Sequence, residues 1–220
     1  MTASLLTVRA KKDQRLCCCM ALVVFFSLMT LKASSGVPAS DQKGDPSLLI
    51  VPSFERPSIS RYLPLSKRTL LAPAFVTKSG EITFVRGREF QTSEQWDRFV
   101  KAARERQALQ LATIDPQMIR DNHGVIQMAV IVSENPTTAS CIMQPGFLQY
   151  FSAIFGPELL IAIPTRNKIC IFPKLANHLP LMRDAIRDDY LISPMPASTE
   201  IFELSKNGLR AVGSLNPDDE

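Results

Sequence analysis

Two histidines, one tryptophan and nine glycines in 220 residues leave little material for catalysis. There is no Gly-x-Gly-x-x-Gly and no Walker loop, the two glycine-rich cradles that hold phosphates on backbone N–H groups. Cys-x-x-Cys, His-x-x-x-His and the acidic EF-hand loop are also missing, which removes the common metal-ligand spacings. Of five cysteines, Cys17, Cys18 and Cys19 share one apolar run, leaving Cys141 and Cys170. Two cysteines do not make a disulfide framework, and both lie in apolar segments where an inert buried thiol is the usual occupant. The composition calls for no cofactor.

A surplus of one charge is lacking too, once the N-terminus is set apart. Arg9, Lys11, Lys12, Arg15 and Lys32 account for five of the 25 basic residues, and Asp13 for one of the 21 acids. The rest of the chain therefore carries twenty of each. A nucleic-acid surface needs clustered cations to replace condensed counterions, so that partner is excluded.

Leu16–Leu31 is uncharged, and it follows a basic stretch. Basic flank, apolar run and small residues around Ala33–Gly36 have the pattern of a secretory signal over residues 1–32, with cleavage near Ala33 or Ser35. The run is shorter than the roughly 20 residues that span a bilayer comfortably, which favours removal. Lys32 can snorkel and lengthen the span, so a retained anchor stays open, with residues 16–31 then the membrane contact. Either way the sequence places the protein in the cell envelope, secreted, or anchored to a membrane.

Residues 33–57 are rich in Ser, Pro, Gly and Asp and read as a flexible linker. Leu48–Val51 is a short strand or docking segment within it. A single domain is expected over 58–214, followed by an acidic tail at 215–220. Leu70–Thr77 and Glu81–Arg86 form a hairpin across Lys78-Ser79-Gly80. Thr92 with Gln95 is a capping box, and Trp96, Phe99, Val100 and Ala103 give an amphipathic helix over 93–107. Trp96 belongs to its packing face, and Asp97, Arg98, Lys101, Arg104 and Glu105 to its wet face. Val125–Val132 is a strand, with Ser140–Met143 pairing back on it. Pro145-Gly146 opens a helix that Gly156 stops. Glu158–Ile163 and Ile169–Phe172 form a hairpin of central strands, apolar enough to be buried on both faces. A helix over 177–189 turns Leu181, Met182, Ala185 and Ile186 inward. Ile201–Leu204 and Leu209–Val212 close a hairpin at Asn207-Gly208. The sum is an α+β fold: a mostly antiparallel sheet with about three helices packed on one face of it.

Gln144-Pro145-Gly146-Phe147-Leu148, Leu160–Pro164, Ile192-Ser193-Pro194 to Phe202, and the Gly208-Leu209 hairpin carry a resemblance. Over Ser140–Val212, about a third of the chain, the sequence resembles the bacterial YtpQ-type family of unknown function. That resemblance implies a fold and no mechanism.

The candidate sites are few. A thiol enzyme or hydrolase would need Cys141 beside His123 with a lowered thiol pKa. His123 sits in Asp121-Asn122-His123-Gly124, a turn-forming tetrapeptide, and His178 is expected on the surface. Asp184 and Asp188 flank Arg183 and Arg187 as intrahelical ion pairs. Ser193, Ser198 and Thr199 have no histidine near them in sequence. The loop Thr165-Arg166-Asn167-Lys168 offers two cations to an anionic ligand or acidic partner, against the plainer reading of a solvated turn. The sequence thus favours a non-enzymatic binding or interaction module with a possible protein partner over an enzyme.

Overall fold

The computed structural model describes residues 44–175 and 178–216. The expected signal or anchor, its cysteines, the cleavage region and residues 217–220 lie outside the described residues. The fold is α+β, and every strand pairing in it is antiparallel.

The strands divide between two sheets where one was expected. The smaller holds β1 (Asp45–Pro52), β2 (Arg61–Tyr62), β3 (Thr69–Val76) and β4 (Ile82–Phe84), with β3 between β1 on one side and β2 and β4 on the other. The linker expected over 33–57 does not extend through β1, which pairs with β3 along its whole length and is buried from Ser47 to Pro52. Its prolines, Pro46 and Pro52, stand near the strand ends, where a missing N–H costs least. The domain therefore starts by Asp45, not at 58.

The larger sheet has the order β10-β9-β7-β8-β6-β5. Its strands are β5 (Gln117–Arg120), β6 (Ile126–Val132), β7 (Leu159–Thr165), β8 (Lys168–Pro173), β9 (Glu200–Ser205) and β10 (Gly208–Ser214). β7 and β8 are central, as their apolar runs predict. Alternation sends Leu159, Ile161, Ile163, Ile169 and Ile171 to the main core and Ala162, Cys170 and Phe172 to a second one. The closing hairpin turns through Lys206-Asn207, with Gly208 at φ +98°.

α1 (Ser93–Leu111), α2 (Pro145–Phe155) and α3 (His178–Ile192) are the three helices. At the start of α1, Gln95 donates its N–H to Thr92 Oγ1 at 3.3 Å, while its side chain accepts from Gln91 N at 2.7 Å, one residue before the cap. Helices cover both faces of the larger sheet, contrary to the one-faced expectation. Phe147 and Phe151 of α2 join the main core, whereas Leu179 and Ile186 of α3 join the second. The inward row of α3 is Leu179, Met182 and Ile186, an i, i+3, i+7 stripe; Leu181 and Ala185 face solvent.

Ser140–Met143 is not a strand. Asn135 Oδ1 accepts the N–H of Thr137, and Asn135 O that of Thr138, and this tightening winds Thr138–Met143 into a 3-10 helix. β6 pairs instead with β8 and with β5 upstream, and the mostly exposed residues of β5 carry no core pattern to recognise. The acidic tail begins later than 215, because Leu215 is buried and donates its N–H to Thr199 O at 2.7 Å.

A candidate binding groove beside helix 1

The residues that the sequence offers for thiol chemistry are not brought together. Cys141 lies in the 3-10 helix, wholly buried, with its Sγ donating to Gln107 O at 3.6 Å. Burial pushes its thiol up to about 12 and that of Cys170 likewise to about 12. An activated nucleophile needs the opposite shift. His123 is exposed in the β5–β6 turn, its N–H donated to Asp121 Oδ1 at 2.9 Å. The same carboxylate accepts from Val125 N, and these bonds hold its pKa below the ordinary value, Val125 first. The tetrapeptide is a turn former.

The β7–β8 loop is neither an open cationic tip nor the plainer solvated turn. Residues 133–139 and 193–198 wrap it: Arg166 donates its N–H to Met195 O and accepts on its own carbonyl from Ala139 N. The Arg166 side chain is buried, ion-paired with Glu55 and 6.0 Å from the Phe84 ring centroid. Asn167 accepts the Thr165 hydroxyl at 2.6 Å, and Lys168 pairs with Asp189 of α3 at 2.5 Å. These side chains tie the loop to its neighbours, a structural use that sequence order alone does not reveal. On α3, Asp184 pairs with Arg187 at 3.0 Å, in keeping with the intrahelical reading. Ser198 and Thr69 share a 2.6 Å hydrogen bond beside Glu200, so this hydroxyl too serves packing between the sheets.

What the sequence does not place is a groove of about 490 Å³ between α1 and the smaller sheet. Its origin is local. Pro73 sits inside β3 with no N–H to donate, and its carbonyl accepts from Val85 N at 3.0 Å, on the side away from β1. A partner strand cannot pair continuously past such a residue. β2 accordingly stops opposite Leu71 and β4 starts opposite Ala74, leaving a gap between them. Arg61 is directly opposite Leu71 and so shares its face of the sheet, the face of Leu48 and Ile50.

α1 forms the other wall. Phe99, Ala103 and Gln107, at i, i+4 and i+8, are its buried row. The adjacent row is Trp96, Val100 and Arg104 at the same spacing, and it lines the groove. Trp96 packs as expected, edge-on to Phe90 at 5.3 Å and stacked with Phe99 at 6.0 Å, but it is only half-buried and its remaining surface borders the groove. Leu48, Leu71 and Pro73 make an apolar floor. Arg61 and Arg104 are exposed, with no ion pair or hydrogen bond to any described residue. Arg104 is exposed, as its place on the wet face of the helix predicts, and its i+4 spacing from Val100 sets it beside this concave surface.

A second groove, about 520 Å³, lies at the other end of α1 near Asp45, Lys78, Leu109 and Glu134. Its polar groups are more committed: Arg106 pairs with Asp45, and Gln110 bonds both Thr137 and Thr138. Among the described residues no cluster of three or more His, Cys, Asp or Glu is placed to hold a metal ion, and no helix is long and apolar enough to cross a membrane.

Comparisons with family models, with curated proteins and with solved structures each find nothing that matches this chain.

Proposed function

We propose that this protein is a non-enzymatic binding module, exported or held at a membrane through residues 16–31, and that the groove beside α1 is its contact surface. The observation that supports the reading most is the contrast between committed and uncommitted cations. Arg166, Lys168, Lys174 and Arg210 are all held in ion pairs, whereas Arg61 and Arg104 border an apolar floor with no ion pair or hydrogen bond to any described residue. Concave, mostly apolar sites with a few placed polar groups are where small ligands and side-chain anchors bind. The YtpQ-type resemblance is compatible with such a role and adds no chemistry to it.

The test is a fragment screen by thermal shift on the full chain and on Val100→Glu, which sets a carboxylate inside the groove. Stabilising hits lost in the variant support the groove as the contact surface. Hits retained in the variant, or no hits at all, refute it. Export is tested separately, by fractionating cells that express the full chain and a form lacking residues 1–32; equal cytosolic recovery of both refutes it. Cys141→Ser should leave binding unchanged, and loss of binding with the fold intact would refute the non-enzymatic reading.

A further inference from the structure

We infer that the groove beside α1 recognises a small amphipathic monocarboxylate, an aromatic or aliphatic body carrying one anionic head. This rests on the groove reading above and names its ligand class. The floor of Leu48, Leu71 and Pro73 offers only hydrocarbon, so it accepts an apolar body and gives nothing to a polar one. The indole of Trp96 adds a flat, half-buried wall on which such a body packs.

The head group follows from charge and position. Arg61 comes from β2 and Arg104 from α1, so two guanidinium-bearing residues border the groove from different elements. Each presents a planar fork of donors, the geometry that suits a carboxylate. Neither spends that fork on a described residue. Asp97, on the same helix as Arg104, also borders the groove and brings its net charge to one positive. One net cation favours a monoanion over a phosphate ester or a dicarboxylate, which would meet Asp97. A volume of about 490 Å³ falls within the range of small-molecule sites, roughly 300–1,000 Å³.

Trp96 is the chain's single tryptophan, so the groove carries its own reporter. The experiment titrates the full chain with 4-phenylbutyrate and, in parallel, with its neutral isostere 4-phenylbutanamide, following Trp96 fluorescence. The acid should give a saturable change and bind at least about threefold more tightly than the amide, the modest premium of exposed charge-assisted hydrogen bonds. Arg61→Gln and Arg104→Gln, exposed positions whose loss leaves the core untouched, should each shrink that preference, and together abolish it. Increasing salt should weaken the acid and leave the amide unchanged. Equal binding of acid and amide overturns the anion assignment while leaving the groove a binding surface. No saturable response to either, or a preference for the acid that survives the double variant, overturns the inference.

Discussion

Replacing Gln107 by leucine isolates one buried hydrogen bond and gives the architecture its sharpest test. Gln107 is 2 % exposed, in the middle of α1, and its side-chain amide donates to Leu48 O at 3.0 Å. That carbonyl belongs to the edge strand β1 and points away from β3, because its partner Pro73 turns its own carbonyl toward Val85. Leucine keeps most of the volume and removes the donor, so the Leu48 carbonyl is left buried and unpaired. Such an orphan costs about 1–3 kcal/mol. Gln144 Nε2, which donates to Gln107 Oε1 at 3.0 Å, is only half-buried and turns to water at little cost. The expected loss is therefore about 2 kcal/mol, a fall of about 1 M in the urea midpoint for a slope near 2 kcal/mol per M. Urea unfolding of the full chain, followed by Trp96 fluorescence, measures it. Gln107→Glu should lose more at neutral pH, where a carboxylate faces a carbonyl, and recover in acid as the protonated group donates again. A Gln107→Leu midpoint within about 0.25 M of wild type would refute the reasoning, since a shift of that size corresponds to about 0.5 kcal/mol and no orphaned carbonyl.

Three further outcomes follow from other parts of the fold. Glu200 is buried between the sheets and accepts from Ser66 Oγ at 2.5 Å, Lys67 N at 2.8 Å and Thr69 Oγ1 at 2.6 Å. Glu200→Ala strands these donors and should cost about 2–4 kcal/mol in a denaturant melt; a loss under about 1 kcal/mol would mean that water replaces the carboxylate freely. Cys141 and Cys170 have thiols raised from 9.0 to about 12, so the folded state holds their protons where the unfolded state releases them. Their stabilising contribution is complete below pH 9.0 and lost as pH climbs toward about 12; Cys141→Ala/Cys170→Ala should show a shallower decline of stability above pH 9.0, and an unchanged slope would count against the burial. Gly44 has φ +71°, and a Cβ there would stand 2.7 Å from the Val76 carbonyl carbon, so Gly44→Ala should cost roughly 1–3 kcal/mol in a thermal melt, with no change disproving the close approach.

Much of this fold is legible in the residues because its signals are local. The capping side chains Thr92 and Gln95, the apolar rows of β7 and β8, the Pro145-Gly146 start and Gly156 stop of α2, and the tight turn just before Gly208 act within a few positions of themselves. Their physics needs no distant partner, and each element stands where its pattern predicts. The failures share one cause. β1 looks like a linker because its strand character depends on β3, β5 carries no core pattern because it is an edge strand, and Ser140–Met143 is wound by Asn135 rather than by its own β propensity.

The site divides in the same way. The sequence by itself lacks the glycine-rich phosphate cradles and the common metal-ligand spacings, since those patterns are local and can be read residue by residue. It cannot assign the cations. Arg166 and Lys168 look available in an apparent loop, yet Glu55 lies 111 residues from Arg166 and closes over it. Arg61 and Arg104 look like ordinary surface charge, yet the fold sets both on the border of one groove beside the gap at Pro73. Which charges are spent and which are offered depends on side chains meeting across long stretches of sequence, and only the tertiary structure decides that.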